Sequence, residues 1–458
     1  MIRRLVSWVV VLVILWGGVS ACITAPTSKK PTVVNVAAFM FPGGASPSVL
    51  ALYKAALEVN RTAGDFELRL STISPPIQEP GVPPEKGQAS PSAIALEQAM
   101  GQDPPPDVVL FSGVYEFNAA LDKDLVQPLD TYVRSDKSVK QDDYFPGALE
   151  ALSDSGRLYA LPVSVAPTVL MYDKRVFDDA GLSGPEPNWN WSTFLGYAKQ
   201  LTKSSGDPQN DRYAINLTGP MILPAFIWQN GGDIVSKDGK RSLLDEPAAV
   251  EAVKFYADLI NTYKVVPPQP GMQPGGPGMS VTKPMIRVGP GEVPPLWSPG
   301  GRVAMNIISG AGSQQGFMPY MRGGQDRPMR LAELPRGKVP ATILDVYTAL
   351  GMTTKATNGP IAYKAMAALS NEMQKEVGVP ARRSLAKNLR QINPNIADDD
   401  AQVILSSLEY ARPLRISGKS EAMQVFYQKL MQPILQKSKP VEEAVKDASD
   451  ALDEVLNQ

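Results

Sequence analysis

At 458 residues the chain exceeds what one hydrophobic core holds, and it is expected to divide into two domains or more. Its 45 Lys plus Arg are balanced by 46 Asp plus Glu, so it lacks the basic surplus of a dedicated nucleic-acid binder. Histidine is absent, which removes Ser-His and Cys-His nucleophilic dyads and every His-containing metal site; no metal or cofactor is expected.

The first residues read as an export signal: Arg3 and Arg4 form a positive start, Leu5 to Trp16 an apolar run, and Val19-Ser20-Ala21-Cys22 a small-residue end. This end resembles a bacterial lipobox. Cys22, the one cysteine of the chain, is then the lipid-attachment residue, because thioether formation needs a nucleophilic sulfur just after the cleavage point. The alternative is a short uncleaved anchor, for which the apolar run falls short of the ~20 residues a spanning helix needs. On this reading residues 1–21 are the signal peptide and 22–31 a polar, Pro-punctuated tether.

Thr32 to Phe41 has a strand pattern, Ser46 to Asn60 reads as a helix and Phe66 to Ile73 alternates as a second strand. That order is a βαβ unit and predicts a parallel sheet. Ser74 to Ser92 is a Pro-rich surface insertion, Ser92 to Met100 a helix, and Pro106 to Phe111 a third strand. Ligands gather at strand ends in α/β sheets, which draws attention to Phe111, Ser112, Tyr115 and Glu116. The competing reading places Phe111 in the core and Glu116 on a solvated helix face.

Gly156 to Pro162 reads as a turn feeding an extended segment, and the apolar, β-branched run Val163 to Tyr172 is long enough to pass between two lobes. A helix begins near Lys174 and stops at Gly181. Ser192 is the predicted N-cap of a helix from Thr193 to Leu201. Across this stretch "G-x-L-Y-x-L-P-V", "L-x-Y-D/N-K-x-x-F-x-x-A-G-L" and "W-x-W-x-x-F" follow in order. The three pieces together resemble the bacterial extracellular solute-binding proteins of the maltose-binding type.

The resemblance extends from Thr32 to the C-terminus, with two Pro-rich interruptions. Pro106-Asp107-Val108-Val109 matches the family's third strand, and Leu121 to Asp130 matches the segment after it, with Asp124 where glycine is usual. In relatives the residue at the position of Phe111 often stacks on a sugar. Ala225 to Asn261 matches the "W-x-x-Q-x-G-G-D" and "P-x-A-V-x-A-V-x-F-Y-x-D-L" segments; Trp228 stacks on a ligand or, as a helix tryptophan, packs in a core. Val265 to Gly301 is an irregular excursion in which Trp297 is a lid or a plug. Arg302 to Gly310 is a buried strand whose Ser309-Gly310 end aims backbone amides at a polar ligand. Leu344 to Met352 leads back to the first lobe and carries Tyr347, a further candidate ligand-binding residue. Gly378 to Ser384 matches "G-x-x-P-A-R-x-S", in which Arg382, or else Arg383, forks hydrogen bonds into the cleft.

The resemblance implies an α/β, two-lobed periplasmic-binding-protein-like (type II) fold with interleaved lobes: residues 32–165 and 340–380 in lobe 1, residues 166–339 and 381–458 in lobe 2. It implies an exported, lipid-anchored, monomeric binding protein that captures a small-molecule ligand, a carbohydrate first, and delivers it to the permease subunits of an ABC transporter. A non-sugar solute, such as a polyol phosphate or a modified amino acid, is the second reading. A glycan-degrading enzyme is the third, for which no motif singles out the necessary carboxylate pair.

Overall fold

The computed structural model describes residues 30–41, 45–76, 90–205, 211–217, 222–267, 302–310, 329–416 and 420–457. The signal segment, Cys22, most of both Pro-rich stretches and Trp297 lie outside the described residues.

Strand β1 (Thr32–Phe39) and strand β2 (Phe66–Ile73) pair in parallel from Thr32 with Phe66 through Phe39 with Ile73. Helix α1 (Pro47–Thr62) joins them. Its start follows from local chemistry: the Ser46 hydroxyl accepts from the Val49 N–H at 3.3 Å, and Pro47 occupies the first turn, where a missing N–H costs nothing. Val49, Leu52, Ala55, Ala56 and Val59 give it one buried face over the sheet. After helix α2 (Pro91–Met100), strand β3 (Val108–Phe111) pairs in parallel on the other side of β1, and helix α3 (Val114–Leu121) follows. All four β3 side chains are buried, as a parallel strand covered on both faces requires. Asp124 takes φ 51°, a left-handed conformation that aspartate tolerates and that glycine adopts without steric cost.

The first sheet is completed from late in the chain. Thr342–Met352 runs antiparallel to β3, pairing Ala349 with Phe111, and also carries Ala160–Pro167 and the short strand Ala411–Arg412. A second, four-stranded sheet is ordered Met329–Ala332, Val169–Asp173, Arg302–Ile308, Arg212–Asn216. Two strands cross between the sheets side by side. Thr168, between Ala160–Pro167 and Val169–Asp173, donates its N–H to the Ile343 carbonyl at 2.8 Å, and the Thr342 hydroxyl donates to the Thr168 carbonyl at 2.5 Å.

Each sheet has its own core. The first gathers Val36, Leu52, Leu110, Phe117, Leu161 and Met366, and the second Phe177, Phe194, Ile227, Tyr256, Met305 and Leu452. Each such fully buried large side chain contributes about 1.5–3 kcal/mol of transfer free energy. In the second core Trp191 stacks on Phe255 with centroids 4.4 Å apart and planes 2° apart.

Two expectations differ from what the chain does. The helix starts at Trp191 rather than Thr193, and Asn190 rather than Ser192 caps it, its carbonyl oxygen accepting from the Thr193 N–H at 3.0 Å. Residues 381–411 were assigned to lobe 2, yet Ala381, Ala386, Leu389, Ile404, Leu408 and Ala411 pack into the first core. Within this stretch the helix Asp398–Leu408 lies along the seam and touches both sheets: it packs on Ala160–Pro167 of the first and on Met329–Ala332 of the second, where Asp400 accepts from the Leu331 N–H at 3.0 Å. The chain enters the second core only at Leu414, after Ala411–Arg412 has added to the first sheet.

Candidate functional site

The carboxyl ends of β1 and β3 open into a pocket of about 240 Å³. Phe41 lies just past β1, Ser46, Pro47 and Ser48 form the start of α1, and Ser112 and Glu116 follow β3. Ser164, Val165 and Tyr347 come from the two crossing strands, and residues 376–379 form the far rim. This is where an open α/β sheet leaves space for a ligand, because the loops diverge as the parallel strands end. Every described lining residue belongs to the first sheet's unit.

The lining combines apolar faces with a set of polar groups. The Ser48 hydroxyl lies 2.6 Å from Thr348 Oγ1, and the Ser164 hydroxyl donates to the same oxygen at 3.1 Å. The Ser112 hydroxyl is buried and has no hydrogen-bond partner among the described residues. Its backbone N–H donates to Glu116 Oε2 at 2.7 Å. Glu116 is 8 % exposed, and burial pushes its carboxyl up to about 7, a rise that the Ser112 N–H only partly opposes. Burial, and then the charge of Asp345, raise the Tyr347 phenol above its ordinary value. Asp345 itself is pushed up to about 6 by burial. At the rim Glu376 is engaged by Lys54 at 3.0 Å. Phe41 is the aromatic residue of the lining with the freest face: it is 42 % exposed and leans on Phe39 at 6.4 Å.

The pocket brings together Ser112, Glu116 and Tyr347 of the expected residues. The others stand elsewhere. Phe111 is 0 % exposed: its ring meets Phe117 edge-on at 5.7 Å and Phe39 at 6.4 Å. It covers Gly351, where any Cβ would fall 2.8 Å from the ring. A ring with both faces in the core offers no platform, so the sugar-stacking role given to Phe111 is corrected to a packing role. Tyr115 is 55 % exposed and is not among the residues that line the pocket. Trp228 is buried in the second core, donates its indole N–H to Asp233 at 2.8 Å and carries the Arg412 guanidinium 4.9 Å above its ring. Packing is therefore its role. Ser309 is exposed at the end of Arg302–Ile308, with its hydroxyl 3.3 Å from that of Thr168 at the crossing. Arg382 does not reach the pocket: it donates to Asp143 at 2.9 Å and to Asn371 at 2.7 Å. Arg383, the alternate, is engaged by Glu409.

Sequence reasoning missed Phe41, Ser46, Ser48 and Ser164. Phe41 was within reach of it, since an aromatic just past the first strand and before a capped helix has the same strand-end logic as Phe111. Among the described residues no group of three acidic, Cys or His side chains is disposed to hold a metal, and no helix is long and apolar enough to cross a membrane.

Comparison with known proteins places this geometry. A Brucella abortus binding protein is 28% identical over 144 residues, 30% of this chain and 32% of that protein. An arabinooligosaccharide-binding protein of Halalkalibacterium halodurans is 25% identical over 135 residues, 29% of each. These matches thus span about a third of the length of the curated relatives. The sugar-binding protein MalE of Xanthomonas citri superposes with a TM-score of 0.68 at 19% identity, over 93% of this chain and 97% of that one, and the two share the two-lobed α/β fold. The family model described as bacterial extracellular solute-binding protein matches residues 85–375, more than half of the sequence, from α2 through the seam of the two sheets to the pocket rim, and the chain belongs to that family.

Proposed function

We propose that the chain captures a sugar or oligosaccharide outside the cytoplasm and delivers it to the permease of an ABC importer, held at the membrane by a lipid on Cys22. The observation that carries the reading is the pocket past β1 and β3, which combines a half-exposed aromatic face at Phe41 with the hydroxyls of Ser48, Ser112, Ser164 and Tyr347. Flat apolar faces for sugar rings and fixed polar groups for their hydroxyls are the means by which clefts hold carbohydrate. Membership of an extracellular solute-binding family and a partial match to an arabinooligosaccharide-binding relative support it.

The mechanism needs no chemical conversion. A solute seated on the first unit gains contacts to the second only when the cleft shuts, so it shifts an open–closed equilibrium by its differential affinity for the closed form. The paired strands at Thr168 and Thr342 are the connection about which that movement turns. A glycan-degrading activity would need two carboxylates acting together; here the second carboxylate of the lining, Glu376, is engaged by Lys54. A polyol phosphate is disfavoured, because no Lys or Arg is among the described residues that line the pocket.

A thermal-shift screen of residues 23–458 against mono-, di- and oligosaccharides, amino acids and polyol phosphates tests the reading, since a ligand of the native state raises the melting temperature. Stabilisation by saccharides is expected. A response confined to amino acids or phosphates would replace the carbohydrate reading. Anchoring is tested by fatty-acid labelling of the full chain, which the Cys22→Ala variant should abolish.

A further inference from the structure

A carboxylate buried beside a ligand pocket, with no Lys or Arg among the described residues of the lining, is an incomplete site. Glu116 is 8 % exposed, its Oε2 is held by the Ser112 N–H at 2.7 Å, and the lining residues described around it include no Lys or Arg. Proteins that bury a carboxyl either pair its charge or keep it protonated, since an isolated charge is costly to remove from water. The other titratable groups of the lining are Glu376, which answers to Lys54 at 3.0 Å, and Tyr347, whose phenol stays neutral. The net character of the pocket is therefore hydroxyl-rich and acidic, and the missing counter-charge is left for the occupant to bring.

We propose that Glu116 is the charge-selecting residue of the pocket, favouring a saccharide that carries a protonated amine over its neutral counterpart and rejecting one that carries a carboxylate or phosphate. The inference rests on the reading of this pocket as a carbohydrate site. An ammonium donating to Glu116 makes a charge-assisted hydrogen bond in a partly dried site, which outweighs the amide or hydroxyl bond of a neutral sugar. An anionic sugar meets Glu116 with no Lys or Arg among the described lining residues to balance it.

The test uses three trisaccharides of one scaffold: glucosamine, N-acetylglucosamine and glucuronic acid units, titrated calorimetrically into the parent protein and into Glu116→Gln. The Gln carbonyl still accepts from the Ser112 N–H, and a melt of the variant confirms its fold. The expected order in the parent is amine, then N-acetyl, then acid, with roughly tenfold or more between the first two; in Glu116→Gln that gap collapses. Equal binding of the amine and N-acetyl forms by the parent, or a gap that survives in Glu116→Gln, overturns the proposal while leaving the carbohydrate reading standing. Binding of none of the three by folded protein that other saccharides stabilise overturns the proposal alone; stabilisation by no saccharide at all overturns the carbohydrate reading with it.

A second measurement needs no variant. At about pH 6 the amine keeps its charge while Glu116 is largely protonated, so binding the amine must drive a proton off Glu116. That proton appears as a dependence of the measured heat on the ionisation enthalpy of the buffer. The N-acetyl form releases none. Identical buffer dependence for the two sugars is the contrary result.

Discussion

The Ser112 N–H points at Glu116 Oε2 across 2.7 Å, and this bond is too little to offset the burial of the carboxylate. The consequence is a pH dependence with a defined sign. Glu116 titrates at about 7 in the folded chain, above the ~4.3 of an unfolded one, so the native state binds the extra proton between those values. Its contribution is most favourable below about pH 4.3 and is lost as pH rises through about 7. Glu116→Gln should match the parent near pH 4.5 and be more stable by about 1–3 kcal/mol near pH 8. Asp345, pushed up to about 6, acts in the same direction in both proteins and cancels from the comparison. Denaturant melts at the two pH values check this; a difference between the proteins that does not change with pH refutes it.

Two phenylalanines close in space should part company on mutation. Phe111→Ala opens a cavity between Phe39, Phe117 and Gly351 and should cost about 3–5 kcal/mol of stability. Phe41→Ala removes a half-exposed ring from the pocket, with a small effect on the melt and a loss of about 1–2 kcal/mol in saccharide binding. Melting and calorimetric titration of both variants separate them. The reverse pattern would restore Phe111 to the site.

Arg382 should behave as a structural residue. Its side chain and that of Asp143 are 16% and 15% exposed, and the pair also ties Ser384 to the loop before the helix Pro146–Glu150. Burial opposes ionisation of Asp143, and the hydrogen bonds from Ser384 and Arg382 outweigh it and hold the carboxyl below its usual range. Arg382→Ala should therefore destabilise by about 1–3 kcal/mol and leave the affinity of the folded protein unchanged. A loss of binding without loss of stability would return the arginine to the cleft.

A fragment of residues 32–165 should not melt as a cooperative unit. It contains β1, β2 and β3 but lacks Thr342–Met352, the strand that lies between β3 and Ala160–Pro167 and pairs with both. Without it β3 keeps an unpaired edge and the first core loses Leu344, Val346, Leu350 and Met352. A sharp two-state transition of the fragment would contradict this.

The amino-acid sequence by itself determined the local elements and their order. The alternation of Phe66–Ile73, the Ser46-Pro47 helix start and the buried run before Tyr172 are signals carried within a few residues, and the three linked motifs from Gly156 to Phe194 marked the family. Ser112 and Glu116 stand out in the sequence because the end of β3 is fixed by local pattern, whereas Tyr347 lies in the middle of Thr342–Met352, away from any strand end. What only the tertiary structure decided is which side chains emerge from the core. Phe111 and Phe41 both sit near the end of a parallel strand, and no local feature separates them. Phe111 is buried because the antiparallel register sets it against Ala349 and over the bare backbone of Gly351, partners that arrive from far along the chain. The same holds for the helix Asp398–Leu408, which is amphipathic wherever it packs: its place along the seam, against Ala160–Pro167 of the first sheet and, through Asp400 and the Leu331 N–H, against Met329–Ala332 of the second, is set by partners far away in the chain.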